Sequence, residues 1–218
     1  YSGYGYFGSY LGSSVLVNSS VDVSVLNNDF PLSSREITQG VAVISSDLIK
    51  IIGNTINARD EYTRGVYLSF TDRVLIERNN IVSFSGIDFG SETRVTDIVN
   101  NIISGIGISN NSTESNGISL RASRYSNVPN IVRIKGNKIS NFSGRGIVSQ
   151  RYYGGWGNYS DTLSIIENEL DSLGSDGVYI ADNLNQNTRI SDFTIFINNN
   201  RVKGIKNGAG IFISSGRS

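Results

Sequence analysis

Two short apolar patterns alternate along the chain. The first, apolar-x-apolar-x-x-Asn-x-apolar, occurs at Val23-Val25-Asn28-Phe30, Ile49-Ile51-Asn54-Ile56, Val74-Ile76-Asn79-Ile81, Val132-Ile134-Asn137-Ile139, Leu163-Ile165-Asn168-Leu170 and Ile195-Ile197-Asn200-Val202. A seventh copy, Val95-Asp97-Asn100-Ile102, carries an acid where the others are aliphatic, so either its register slips onto Asn101 or Asp97 is unusual. The second pattern, Gly-apolar-x-apolar, starts at Gly40, Gly65, Gly86, Gly117, Gly177 and Gly210, with weaker copies at Ser14 and Gly146.

Period-two alternation over three to five residues predicts short strands with one buried face, and helical spacing is absent. Asparagine tolerates the left-handed backbone region and bonds neighbouring backbone groups, which suits a bend between strands. Glycine ahead of the next strand suits another sharp turn. A repeat of roughly 21 to 37 residues with about three strands cannot bury its own apolar face. Stacked repeats can, as coils of a parallel β-solenoid with inward aliphatic ladders and a ladder of asparagines. An ordinary sandwich is the alternative, but it leaves the fixed Asn and Gly offsets without a cause.

These units resemble the repeats of the pectate lyase-like superfamily, which includes pectinases, alginate epimerases and phage tailspikes. The likeness runs from about Ser14 to Ile213. It implies an all-β fold, a single-stranded right-handed parallel β-helix of about seven to eight coils spanning residues 14–218. Residues 1–13, "YSGYGYFGSYLGS", form an aromatic leader or partial coil outside the repeat. The resemblance also implies a homotrimer and a setting outside the cell or on a virion surface.

Distances from each Gly or Ser marker to the next asparagine locate the loops. They are 14 residues from Ser14, Gly40, Gly65 and Gly86, then 20, 22 and 23 from Gly117, Gly146 and Gly177. The insertions "RASRYSNVP", "QRYYGGWGNYSD" and "ADNLNQNTR" therefore leave one corner of successive coils and are expected to stack as a wall. Beside that corner runs an outward file of Leu16, Ala42, Tyr67, Asp88, Ser119, Val148, Tyr179 and Phe212. The expected result is a groove with Tyr67, Asp88 and Tyr179 along its floor and Arg121, Arg124, Tyr125, Arg151, Tyr152, Tyr153 and Trp156 on its wall. Eight strands extend about 35 Å, a length that suits a polymer.

Aromatic faces next to arginine fit sugar rings, whose C–H faces lie on the aromatic while guanidinium groups grip hydroxyls or carboxylates. The competing reading is a satellite cluster, or a contact with a neighbouring subunit. Glycoside hydrolysis needs two carboxylates about 5 Å apart for retention or roughly 6.5 to 9.5 Å for inversion. Asp88 with Glu92, Asp60 or Glu61 is the candidate set. Against it, Glu92 sits in a turn, "SETR", that reads as ordinary solvation, and Asp88 reads equally well as an outward residue paired with Arg121. Asp176 and Asp182 form a second acidic group about three coils, or roughly 14 Å, from Asp88.

Composition narrows the chemistry. Nineteen basic and nineteen acidic residues cancel, so no global field favours nucleic acid or an anionic membrane. With no histidine and no cysteine, the Ser-His triads, thiolate metal sites and most zinc sites are excluded. The longest aliphatic run, Val41 to Ile44, is far too short to span a bilayer. No cofactor is expected. Arg- or Lys-based lyase chemistry with Ca²⁺ stays open, although no clustered aspartate motif marks a calcium site. "VRIKG" matches an Arg-Ile-Lys element of polygalacturonases, but the histidine and paired aspartates that belong with it are missing. With no methionine in the chain, the sequence reads as an excerpt of a longer polypeptide. The expected function is recognition, with or without cleavage, of an extracellular polysaccharide as in a tailspike. A non-enzymatic shaft or adhesin and a secreted pectinase-like lyase are the alternatives.

Overall fold

The structure, a computed structural model, describes residues 12–32, 39–58, 60, 63–107, 115–122, 130–152, 161–183 and 193–215. It is all-β, with twenty strands among the described residues. Every pairing between them is parallel. That excludes an antiparallel sandwich. The strands form a 13-stranded and a 7-stranded sheet, curled around one core in a solenoid-like stack that does not close into a complete tube.

Each repeat supplies three strand segments, as the alternation predicts. The Gly-apolar strands pair only with one another, from Ser13–Asn18 through Gln39–Ile44 to Ile211–Ser215. The apolar-x-apolar strands form a second rank, and the segments after each asparagine, such as Thr55–Ala58 and Asn80–Ser83, form the 7-stranded sheet. The first two ranks belong to one sheet because Arg64–Glu77 and Ser85–Val99 run uninterrupted through the corner between them. Inward positions such as Val41, Ile51, Ile76, Ile98, Ile134 and Ile165 are fully buried and form one continuous core.

The asparagines form an unbroken ladder. In each step the backbone N–H and Nδ2 of one asparagine donate to Oδ1 of the next, from Asn28 to Asn54, Asn79, Asn101, Asn137, Asn168 and Asn200, at 2.9–3.1 Å. Nδ2 also donates to carbonyls on its own and the preceding coil, as Asn101 does to Val99 and Ile76. The left-handed conformation belongs to the residue before the ladder position: Asn27, Gly53, Arg78, Asn100, Gly136, Glu167 and Asn199 all have φ between 53° and 67°. Asparagine is required here for its amide, which completes backbone bonding where the ladder of strands is interrupted.

The same bonds settle the register of the copy that contains Asp97. Asn101 is the ladder residue and Asn100 takes the turn, so Asp97 points outward to Arg133, 3.1 Å away. The cause lies upstream. Pairing between Arg64–Glu77 and Ser85–Val99 runs Leu68 to Phe89 and then Ser69 to Ser91, leaving Gly90 as a bulge. The Tyr67 ring lies over Gly90, where a Cβ would collide with the phenol oxygen.

The marker glycines from Gly40 to Gly177 serve close packing, and none of them has positive φ. A Cβ on Gly40 would lie 2.6 Å from the Gly65 carbonyl oxygen, and one on Gly65 2.7 Å from that of Gly86. Each would also strike an isoleucine of the 7-stranded sheet, Ile56 or Ile81. Glycine lets the two sheets converge at this corner.

Replacing Asn101 by alanine removes the acceptor for two buried Asn79 donors and the Nδ2 donor to the Ile76 carbonyl. A loss of about 3 kcal/mol or more is expected. Asn28→Ala, at the exposed start of the ladder, should cost under about 1 kcal/mol. Urea unfolding of the two variants measures the contrast.

Candidate functional site

The outward file expected from the repeat is in register throughout: Leu16 opposite Ala42, then Tyr67, Asp88, Ser119, Val148, Tyr179 and Phe212. Parallel stacking with an aligned turn in every coil places these side chains one above another. The file is not uniformly open. Ala42, Asp88 and Val148 are buried, Tyr67 and Tyr179 are half-buried, and Leu16 and Phe212 are exposed.

Asp88 is 5 % exposed. Its Oδ2 lies 2.8 Å from Nε of Arg64, on the preceding coil, and that guanidinium rests 5.2 Å from the centroid of the Tyr67 ring. Arg64, Tyr67, Asp88 and Gly90 therefore form one packed unit, with a cation over an aromatic face. Arg64 is thus one partner of this carboxylate. Asp60 is half-buried and closes the adjoining turn, where its carbonyl accepts from the Thr63 hydroxyl at 2.7 Å.

A second unit of similar make-up lies lower in the stack. Arg145 Nε is 3.1 Å from Oδ2 of Asp176, and the guanidinium sits 4.1 Å from the Tyr179 ring centroid. Tyr179 in turn stacks on Phe212 at 5.1 Å with 6° between planes. Oδ1 of Asp176 accepts from the Ala209 backbone N–H at 2.8 Å, so this acid ties one coil to the next. Both arginines directly precede a marker glycine, in "TRG" and "GRG". That recurrence is the sequence signal for these two pairs.

The three insertions start and finish at stacked points. Ala122 is opposite Arg151 and Arg151 opposite Asp182 where the chain leaves the sheet; Ile131 is opposite Thr162 and Asp161 opposite Phe193 where it returns. Glu61, Arg124, Tyr125, Tyr153 and Trp156 lie outside the described residues. For Glu92, Arg121, Arg151 and Tyr152 the backbone alone is described, each within a strand. Among the described residues no cluster of three or more acidic side chains is arranged to hold a metal ion.

At the tight corner of the first coils the charges form two unlike pairs. Asp47 is gripped by Arg73 through both guanidinium arms and the backbone N–H, and it also accepts from Leu48 N–H. Asp72 faces Arg94 at 3.7 Å, beyond direct hydrogen-bond reach. The side-chain bond to Arg73 is the main reason that Asp47 falls from 3.8 to about 2.

No family model matches this chain, and comparison with curated proteins and with solved structures finds no match.

Because its folded pKa is depressed, Asp47 contributes stability that is complete above its ordinary value of 3.8 and lost as pH falls through about 2. The stability difference between the native chain and Arg73→Ala should hold constant near neutrality and close across that window. Urea unfolding over an acid pH series reads it, and a gap independent of pH would show that the pair's charge is not what stabilises.

Proposed function

We propose that the chain is a right-handed parallel β-helix of the pectate lyase-like kind, and that it recognises an extended extracellular polysaccharide along its outward file. The observation carrying this reading is the alignment of the three insertion anchors beside that file. In this reading Arg121, Arg124 and Tyr125 from the first insertion and Arg151, Tyr152, Tyr153 and Trp156 from the second stand on the same side of two consecutive coils, with the third insertion beside them. A flat surface with aromatic and guanidinium groups at regular intervals suits a repeating ligand more than a compact metabolite.

Recognition is favoured over cleavage at Asp88. Its carboxylate is buried beneath Arg64 and packed with Tyr67, which makes it part of the coil's own construction. A general acid or nucleophile must instead reach the glycosidic bond. In this reading the two arginine–tyrosine units stiffen the floor and the insertions supply the contacts.

Trp156 is the only tryptophan, so its emission reports on the wall directly. Titration with oligosaccharides from acidic and neutral bacterial exopolysaccharides should shift that emission for at least one of them. Arg151→Ala or Tyr152→Ala should weaken the response about tenfold or more. Emission indifferent to every sugar would end the reading. Shortening of the bound polymer, seen by size-exclusion chromatography and surviving Asp88→Asn, would place cleavage elsewhere on the chain.

A further inference from the structure

An open groove of about 460 Å³ lies along the tight corner of the first four coils, on the edge from which the three insertions spring in later coils. Residues 19–21, 45–47 and 70–72, together with Arg94, line it, one short segment from each coil. It runs beside the outward file without including Tyr67 or Asp88. Three features set it apart from the other turns.

The first is Phe70. Its φ of 53° places a bulky aromatic in the left-handed region, and the residue is 52 % exposed. The same corner is turned by Ser19 and Ser45 with φ of 50° and 49°, so the bend does not call for a ring. Both the backbone strain and the exposed apolar surface oppose stability, a combination that points to function. The second is Thr71, whose buried Oγ1 has no hydrogen-bond partner among the described residues. The third is the contrast between the two ion pairs. Asp47 is saturated by Arg73 and Leu48, whereas Asp72 and Arg94 stand 3.7 Å apart with no direct hydrogen bond, a gap that a hydroxyl able to donate and accept can bridge.

Charge defines the ligand. The two lining aspartates are balanced by Arg73 and Arg94, leaving no net field for an anion or a cation. Serine hydroxyls add acceptor lone pairs: Ser46 already donates to the Ile44 carbonyl and Ser20 to that of Asn18. We propose that this groove is a subsite for an uncharged, hydroxyl-rich stretch of polysaccharide, with Phe70 beneath a sugar ring and Asp72 and Arg94 gripping its hydroxyls. Four coils span about 14 Å, room for a few sugar units. The proposal deepens the polysaccharide reading and rests on it.

The test is amide-shift mapping by NMR on the full chain with cellohexaose, mannohexaose and a galactose hexasaccharide, and with hexagalacturonate as the anionic counterpart. At least one neutral sugar should move the amides of Ser46, Phe70, Thr71 and Arg94. Phe70→Asn, which suits a left-handed residue better, should keep or raise Tm while weakening that binding about tenfold or more; Arg94→Gln should weaken it as well. The subsite is overturned if no neutral sugar moves these amides, if hexagalacturonate binds there more tightly than all of them, or if Phe70→Asn binds unchanged. Shifts confined to the strand ends around Arg121, Arg151 and Asp182 would remove this subsite and leave polysaccharide recognition standing. Silence at both places would sink both.

Discussion

The amide ladder from Asn28 to Asn200 is the constraint on which the other features depend. A parallel stack of short strands has many near-equivalent registers, because a slip by two residues keeps every apolar side chain inward. A buried asparagine cannot slip so cheaply. Its Oδ1 takes two donors from one neighbour and its Nδ2 satisfies carbonyls on two coils, so displacement leaves several polar groups unpaired in the interior. The glycine file from Gly40 to Gly177 adds a steric condition at another corner, where the Gly carbonyl of the next coil and an aliphatic side chain leave no volume for a methyl group. Together they lock both the height and the rotation of each coil.

Much of this was legible because the physics repeats. Period-two apolar alternation, asparagine at a fixed offset and glycine before the next strand recur often enough to show stacking and to align Tyr67, Asp88 and Tyr179 in one file. What escaped the sequence is what occurs once. The Gly90 bulge is a single extra residue, visible only as an acid in an aliphatic position and an ambiguity between Asn100 and Asn101. Its cause is contact with a ring on another coil. The left-handed turn falls one residue before the repeated asparagine, at a position of mixed residue type, and the asparagine pattern hides this because asparagine suits both a bent backbone and a side-chain ladder. Glycine was likewise linked to turning when it is needed for contact.

Pairing of charges was the least legible feature of the candidate site. Arg64 with Asp88 and Arg145 with Asp176 join residues 24 and 31 positions apart, and only register puts them side by side. These pairs pack against tyrosine and are largely withdrawn from solvent. At the tight corner, Asp47 with Arg73 is a saturated bidentate contact while Asp72 and Arg94 retain free hydrogen-bonding directions. The chain is neutral overall, so polar selectivity is decided at such local differences in coordination rather than by net field.

The aligned departure and return points of the insertions have a further meaning. The strands on either side pair with their neighbours whether the intervening corner has the short span after Gly65 or the long one after Gly177. Length and composition at that corner are thus mechanically uncoupled from the ladder that holds the body together. The scaffold works as a rack whose cartridges can be exchanged: loop sequences can diversify, or be grafted from one tier to another, while the core retains its folding instructions.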